Sequence, residues 1–225
     1  MIYNEDFLFL HYPKTAGKSL TRFFIEAWKR PIEGLISRGQ FADLKDLDLT
    51  DVDLQAGRGH ENFVQSSEIL REKGKDIEKL RAIFVCIRNP YDLMVSNYFF
   101  MRQTYKNNRQ KRNFELAATV PFEQYCVRCT MASPERWMTY RGKIFQTLRI
   151  VRFEQLTDDL RQYSTEFGFS MAHVPHLNAT NHKHYLSYIT PAAEEAIYKH
   201  FRFMFDNGYY QRHSFDSRQQ SSVSY

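Results

Sequence analysis

Short apolar runs alternate with segments of helical periodicity along this chain. The runs Phe7–Leu10, Ala82–Ile87 and Leu148–Phe153 are typical of strands buried in a parallel sheet. Apolar residues recur at helical spacing from Leu20 to Trp28, which predicts a helix after the first strand. After the second strand, Pro90 suits the first turn of a helix that continues from Tyr91 to Met101. Strands that alternate with helices indicate an α/β fold, with a central parallel sheet and helices on both faces.

Weaker patterns complete this arrangement within a single domain, residues 1–211. Pro31 and Gly34 end the first helix, and Gly168 ends a helix that starts at Glu154. The other expected elements are a strand near Leu54, a charged helix at 66–79, short helices within 114–143, a long loop at 170–189 and a last helix from Pro191 to about Met204. The polar, Ser/Gln-rich tail at 212–225 is expected to be flexible.

Three polar loops follow predicted strands, at 11–19, 57–60 and 88–90. In parallel α/β sheets, ligands bind beyond the carboxyl ends of the strands. The three loops therefore predict one binding site, at one edge of the sheet.

The first of these loops has the composition of an anion cradle. Lys14 and Lys18 supply positive charge, and Thr15 and Ser19 supply hydroxyl donors. A glycine-containing turn between a strand and a helix also presents backbone N–H groups to a phosphate or sulfate.

Gly17-Lys18-Ser19 also matches the end of the nucleotide-binding P-loop, G-x-x-x-x-G-K-[ST]. The first glycine of that pattern would fall at position 12, which is Tyr12. The full pattern is absent, and a P-loop kinase that uses ATP is kept as the alternative enzyme.

The loop at 88–90 carries a second candidate anion site. Arg88 closes a strand and can make bidentate contacts with a phosphate. Pro90 suits the first turn of a helix, and the Ser96 hydroxyl lies about two turns further along.

Together these loops resemble the sulfotransferases that use 3′-phosphoadenosine-5′-phosphosulfate (PAPS). PKTAGKS at 13–19 looks like their 5′-phosphosulfate loop, and RNPYDLMVSNY at 88–98 looks like their 3′-phosphate motif. Gly59–Phe63 is similar to the Gly-His-x-x-Phe element of the glycosaminoglycan uronyl 2-O-sulfotransferase branch, and Asn178–Thr180 looks like the C-terminal loop of the family. Lys18 departs from the Thr or Ser that the family often has.

The resemblance implies a P-loop-like sulfotransferase architecture and transfer of a sulfuryl group from PAPS to an acceptor hydroxyl of a carbohydrate or small metabolite, without a metal. It implies that Lys14 stabilises the leaving oxygen and that Arg88 and Ser96 hold the 3′-phosphate, as the product 3′,5′-adenosine bisphosphate (PAP) would also require. His182 and Lys183 are expected to cover the nucleotide. The 5′-phosphosulfate would be held by Pro13, Thr15, Ala16, Gly17, Lys18 and Ser19.

Such a reaction needs a base for the acceptor proton. We choose His60, because an imidazole with an ordinary pKa near 6.5 can accept a proton at neutral pH. Glu61, its neighbour, is the alternative.

The charge of the chain is unevenly distributed. The net charge is +5, from 31 basic and 26 acidic residues, and the segment from Arg102 to Arg112 holds five basic residues and no acidic one. We interpret this segment as a solvated face or as a landing site for an anionic ligand or polymer. A non-catalytic module that binds anions is therefore a third candidate function, whereas no nucleic-acid partner is predicted.

The cysteines and the apolar runs bear on the cellular setting. Cys126 and Cys129 form a lone CxxC, and Cys86 lies in a strand, which favours reduced thiols. No signal peptide is recognisable, and no apolar run approaches the ~20 residues of a membrane span. These features predict a cytoplasmic protein.

Overall fold

The structure, a computed structural model, describes residues 1–28, 30–171, 173–174 and 182–215. The chain forms two compact units. The first unit comprises Met1–Arg88 and Pro134–Ala179, and the second comprises Asn89–Ser133 and Thr180–Tyr225.

The strands are β1 (Ile2–Tyr3), β2 (Phe7–Leu10), β3 (Ile32–Ile36), β4 (Val52–Ala56), β5 (Ala82–Ile87), β6 (Thr139–Tyr140), β7 (Lys143–Ile144) and β8 (Leu148–Arg152). The α-helices are α1 (Gly17–Ala27), α2 (Phe63–Glu72), α3 (Pro90–Thr104), α4 (Arg112–Thr119), α5 (Phe122–Arg128), α6 (Glu135–Met138), α7 (Leu156–Phe167) and α8 (Pro191–Asp206). Short 3₁₀ helices occupy Arg38–Leu44, Ile77–Lys79, Tyr105–Asn107, Phe153–Gln155 and Tyr185–Tyr188.

The first unit is built on a mostly parallel sheet. In the described part of the chain, the sheet has six strands in the order β4-β3-β1-β2-β5-β8. The short β1 is antiparallel to both β2 and β3, and the other pairings are parallel. As a result β2, β3, β4, β5 and β8 all run in the same direction, and their carboxyl ends lie at one edge.

The two central strands are buried on both faces. Phe9 and Phe84 pair across β2 and β5, and the intervening residues Leu8 and Ile83, which point to the opposite face, are also fully buried. The first face packs against α1, where the Phe24 ring lies 4.9 Å from that of Phe84. Continuous apolar sequence is what burial on both faces requires, so the predicted strands are confirmed.

The second unit is helical. Within it, α3 packs against α4 and α8, and α5 packs against α8. The Tyr91 hydroxyl at the start of α3 donates a 2.9 Å hydrogen bond to Glu194 on α8. Arg212 pairs with the same carboxylate at 2.6 Å, although the sequence placed Arg212 in the tail.

The cysteine thiols are free and buried, with Cys86 in β5 and Cys126 and Cys129 at α5 and its end. Burial raises the pKa of each of these thiols, and that of Cys129 reaches about 12. Thiols with such high pKa values are poor nucleophiles at neutral pH, so the CxxC packs as a pair of small apolar side chains.

The expected α/β fold, with a central and mostly parallel sheet flanked by helices, is confirmed. The hydrophobic pattern of the sequence did not predict β1, β3 or the β6–β7 hairpin. β1 has only two residues, and β3 contains Gly34, a poor strand former. Gly34 fits because the Met1 carbonyl would lie 2.7 Å from any Cβ there. In the described residues, no helix is both long and apolar enough to cross a membrane.

Candidate active site

The predicted loops follow strands that run in the same direction. The first loop follows Leu10 of β2, the second follows Ala56 of β4, and the third follows Ile87 of β5. Since β2 and β5 are neighbours, with Leu10 paired to Val85, the first and third loops start side by side. This arrangement is the one expected for a ligand site at the edge of a parallel sheet.

The first loop has a constrained backbone. Lys14 and Ala16 both adopt left-handed conformations, with φ of 65° and 60°, which are unfavourable for residues with a Cβ. The buried Thr15 hydroxyl donates to the Tyr12 carbonyl at 2.7 Å and closes the turn. Thr15 therefore donates its hydroxyl hydrogen within the loop. Strained loop residues of this kind concentrate at functional sites.

Gly17, the first residue of α1, lies against the buried ring of His11. A Cβ at position 17 would lie 1.6 Å from His11 Cδ2, far inside contact distance. Glycine at position 17 is therefore required by the close approach of an imidazole, whatever the loop binds.

Arg88 connects the third loop to the first. Its Nη1 donates a hydrogen bond of 3.2 Å to the Lys14 carbonyl, and its guanidinium lies 4.2 Å from the centre of the Phe153 ring. The Phe153 contact is a cation–π interaction, and it orients the guanidinium plane. Two cationic side chains are thus held in one region of the first unit.

Lys14 is electrostatically destabilised in this position. Burial, and then the nearby charge of Arg88, lower the pKa of Lys14 to about 8. A bound anion would relieve both effects, since it would replace lost hydration and screen the two cations from each other. The pair therefore fits the phosphate and sulfate groups of the expected donor.

Lys18 and Ser19 differ from Lys14 in their surroundings. Lys18 Nζ pairs with the Asp43 carboxylate at 2.8 Å, and the side chain is about one third exposed. Ser19 is buried at 3% exposure. Lys18 is therefore held by an acid of the 3₁₀ helix that follows β3.

The second loop brings two histidines together. The rings of His11 and His60 meet edge to face with centroids 4.3 Å apart, and His60 Nδ1 lies 3.2 Å from the His11 carbonyl. A carbonyl only accepts, so Nδ1 carries the hydrogen and Nε2 is left to accept a proton. Burial lowers the pKa of His60, which keeps it neutral at about pH 7.

Glu61 is directed toward the backbone of its own turn. Its Oε1 accepts hydrogen bonds from the N–H groups of Arg58 at 3.0 Å and Gly59 at 3.2 Å. Gly59 has φ of 77°, which lets the chain fold back over this carboxylate. The contacts give Glu61 a structural role in shaping the turn that carries His60.

Three further predicted residues lie in the second unit. Ser96 is buried within α3, at 1% exposure. The His182 ring stacks on Phe99 of the same helix at 5.5 Å, and the Lys183 N–H donates to the Tyr188 hydroxyl at 3.2 Å. The Asn178–Thr180 element lies outside the described residues.

The patterns did not single out Phe153, Asp43 or the contact between His11 and Gly17. Phe153 follows β8 at the same edge as the loops, and an aromatic residue at that position is a usable signal. Asp43 is one of several acids in its segment, and nothing in the sequence distinguishes it.

A cavity of about 510 Å³ lies elsewhere in the first unit and includes Arg71, Lys75 and Arg141 in its lining, but no predicted site residue. Among the residues that the structure describes, no group of three or more His, Cys, Asp or Glu side chains could hold a metal ion.

No family model and no curated protein matches the chain. Among solved structures, it is similar to the mouse sulfotransferase SULT7A1 complexed with PAP, with a TM-score of 0.50 and 12% sequence identity. The likeness covers 87% of this chain and 82% of the mouse chain. This chain therefore has the α/β fold of that sulfotransferase.

Proposed function

We propose that this protein is a PAPS-dependent sulfotransferase that acts on an acceptor hydroxyl. The observation that carries the proposal is the contact between Arg88 and the Lys14 loop. It joins the two motifs that resemble the 5′-phosphosulfate loop and the 3′-phosphate motif, at the carboxyl ends of neighbouring strands. The fold shared with a sulfotransferase that binds PAP supports the same conclusion.

In this proposal, the first loop holds the 5′-phosphosulfate through the N–H groups at the start of α1 and the side chains of Lys14, Lys18 and Ser19. Arg88 and Ser96 bind the 3′-phosphate, the group that distinguishes PAPS from ATP. His182 and Lys183 cover the nucleotide.

His60 and Lys14 have different roles in the proposed transfer. His60 Nε2 takes the proton of the acceptor hydroxyl as the new O–S bond forms. The bond between sulfur and the bridging oxygen breaks, and its electron pair leaves with the 5′-phosphate oxygen of PAP. Lys14 stabilises the negative charge that develops there, and it is largely protonated at about pH 7 because its pKa is about 8.

The kinase alternative has less support. The loop lacks the first glycine of the P-loop pattern, since position 12 is Tyr12.

The acceptor class is proposed from the second loop. The Gly59–Phe63 element resembles the uronyl 2-O-sulfotransferase branch, and it sets His60 at the edge where the donor loops lie. A sugar hydroxyl is accordingly the first acceptor to test, and a small hydroxylated metabolite is the second.

The test is calorimetric binding of PAP and of 5′-AMP to the wild type, to Arg88→Ala and to Arg161→Ala. Arg161 is an exposed arginine on α7 that pairs only with the neighbouring Asp158, so it controls for loss of charge. We expect PAP to bind at least about 100-fold more tightly than AMP, and we expect Arg88→Ala alone to remove this preference. Equal affinities in the wild type would refute the PAPS site.

A further inference from the structure

The second unit carries an exposed cluster of basic side chains at the end of α3, the start of α4 and the end of α5. We call this cluster the basic face. It consists of Arg102, Lys106, Arg109, Lys111, Arg112 and Arg128, all of which are exposed.

Contacts between backbone and side chains join these elements into one surface. Arg112 Nη2 donates to the Arg128 carbonyl at 3.3 Å, and Asn113 Nδ2 donates to the Thr130 carbonyl at 2.7 Å. The start of α4 is thereby fixed against the end of α5. The Lys111 ammonium lies 5.5 Å from the Phe114 ring, which in turn contacts Phe100 on α3.

The residues that the structure describes do not neutralise the charges of the basic face. No cation of the face has a carboxylate within ion-pairing distance in the described part of the chain. Some arginines elsewhere are paired with carboxylates, as Arg22 is with Asp46 and Arg149 with Glu166. Six mutually repelling charges on one surface lower the stability of the fold slightly, so a folding role does not account for them.

Four acids of the same unit are engaged elsewhere. Glu194 and Glu195 pair with Arg212, Asp206 pairs with Arg202, and Glu123 accepts from Thr190. Two acids, Glu115 and Glu123, lie within the sequence span of the face, and neither forms a described ion pair with one of its cations. The electric field of the face is therefore directed to solvent, where an anionic partner can meet it.

Exposed apolar side chains lie among these charges. Phe100 is 36% exposed, and Val127, next to Arg128, is 61% exposed. A polysaccharide or nucleic-acid backbone would neutralise the cations and leave these two side chains in water. A lipid headgroup region accommodates both, since cations contact phosphate while apolar side chains enter the interface.

We propose that the basic face docks the protein on an anionic lipid surface. The proposal is independent of the sulfotransferase assignment, because all of its residues lie in the second unit and none is a proposed donor-site residue. Clusters of four to eight Lys and Arg residues bind anionic membranes with about a five-fold gain in partitioning for each charge.

The test is flotation with vesicles of phosphatidylcholine, alone or with about 30% phosphatidylserine. The variant Lys106→Gln/Arg109→Gln/Lys111→Gln removes three charges whose side chains make no described hydrogen bond. The matched control, Arg161→Gln/Lys199→Gln/Arg202→Gln, removes three exposed charges elsewhere. Circular dichroism checks that both variants fold.

We expect the wild type and the control to bind the phosphatidylserine vesicles and not the neutral ones, with release at high salt. The face variant should bind about 100-fold more weakly. A Val127→Ser substitution should weaken vesicle binding without changing retention on heparin. Equal binding by the face variant and the control would overturn the proposal, as would binding of heparin or single-stranded DNA without vesicle binding.

Discussion

Arg88 Nη1 donates a hydrogen bond of 3.2 Å to the carbonyl of Lys14, 74 residues earlier in the chain. The contact sets the end of β5 against the loop that follows β2. Burial, and then the charge of this guanidinium, lower the pKa of Lys14. The partly buried Lys14 thus has a lowered pKa at the end of the strands, and perturbed pKa values of this kind are common at functional sites.

Lys14→Met should stabilise the protein while abolishing donor-site function. In the wild type at about pH 7, the folded state keeps a half-buried ammonium charged, at a cost of about 1–3 kcal/mol that methionine does not incur. Thermal unfolding should show a higher Tm for the variant, and calorimetry should show weaker binding of PAP.

The pH dependence of the increase in Tm tests whether the Lys14 charge causes it. Because the pKa of Lys14 is lower in the folded protein than in the unfolded chain, the folded state binds fewer protons from about pH 8 to about pH 10. Wild-type stability therefore rises relative to Lys14→Met across this window, and the difference in Tm should shrink. A constant difference would mean that the gain comes from packing rather than from charge.

Gly17→Ala should destabilise the protein strongly, since the new methyl group would collide with the His11 ring. We expect a loss of about 1–3 kcal/mol in the free energy of unfolding, measured by urea denaturation. Gly39→Ala is the control, because a Cβ at position 39 meets nothing within 4 Å.

A second variant tests this steric account. If the clash with the imidazole is the cause, Gly17→Ala should cost less in a His11→Ala background than in the wild type. Equal costs in the two backgrounds would show that the loop rejects the methyl group for another reason.

His60→Ala should slow the transfer step without weakening PAP binding. Loss of a general base typically costs about 100-fold or more in turnover, which can be followed as PAP release from PAPS with a sugar acceptor. Unchanged turnover would remove His60 from the mechanism.

The titration of His60 gives an independent measurement. Burial lowers its folded pKa below 6.5, so the base should remain neutral down to that lower pH, and the NMR titration midpoint should lie below 6.5. The free energy of unfolding should decrease as the pH falls from 6.5 toward that midpoint, because the unfolded chain takes up the proton first, and turnover should decrease as the pH passes below the midpoint.

Arg212→Ala should destabilise the second unit. The Glu194 carboxylate is buried, at 5% exposure, and its partners are Arg212 and the Tyr91 hydroxyl. Burial would raise the pKa of Glu194, but the hydrogen bonds from Arg212 and Tyr91 hold it below its usual range. Without Arg212 the carboxylate is poorly paired, at a cost of about 1–3 kcal/mol.

The control for Arg212→Ala is Arg202→Ala, which removes an exposed pair with Asp206 on α8 and should leave the Tm unchanged. If truncation at residue 211 also left the Tm unchanged, the ordered structure would end where the sequence placed the domain boundary.

Local patterns predicted the elements with strong signals. Phe7–Leu10 and Ala82–Ile87 are strands at the predicted positions, and Gly168 ends α7 in a left-handed conformation. A strand buried on both faces, an amphipathic helix and a glycine at a helix end each have a sequence pattern only a few residues long. Such local patterns can be recognised without the tertiary structure. The sequence likewise predicted that each of the three loops follows a strand.

The partners of the site residues were decided by tertiary structure. The sequence supplied Lys14, Arg88 and His60, together with a resemblance that suggests their roles. It did not show that Arg88 would contact the Lys14 carbonyl or that His11 would fix the tautomer of His60. These contacts join residues 49 to 74 positions apart, and they depend on which strands are neighbours and on how burial shifts each pKa, which only the folded chain determines.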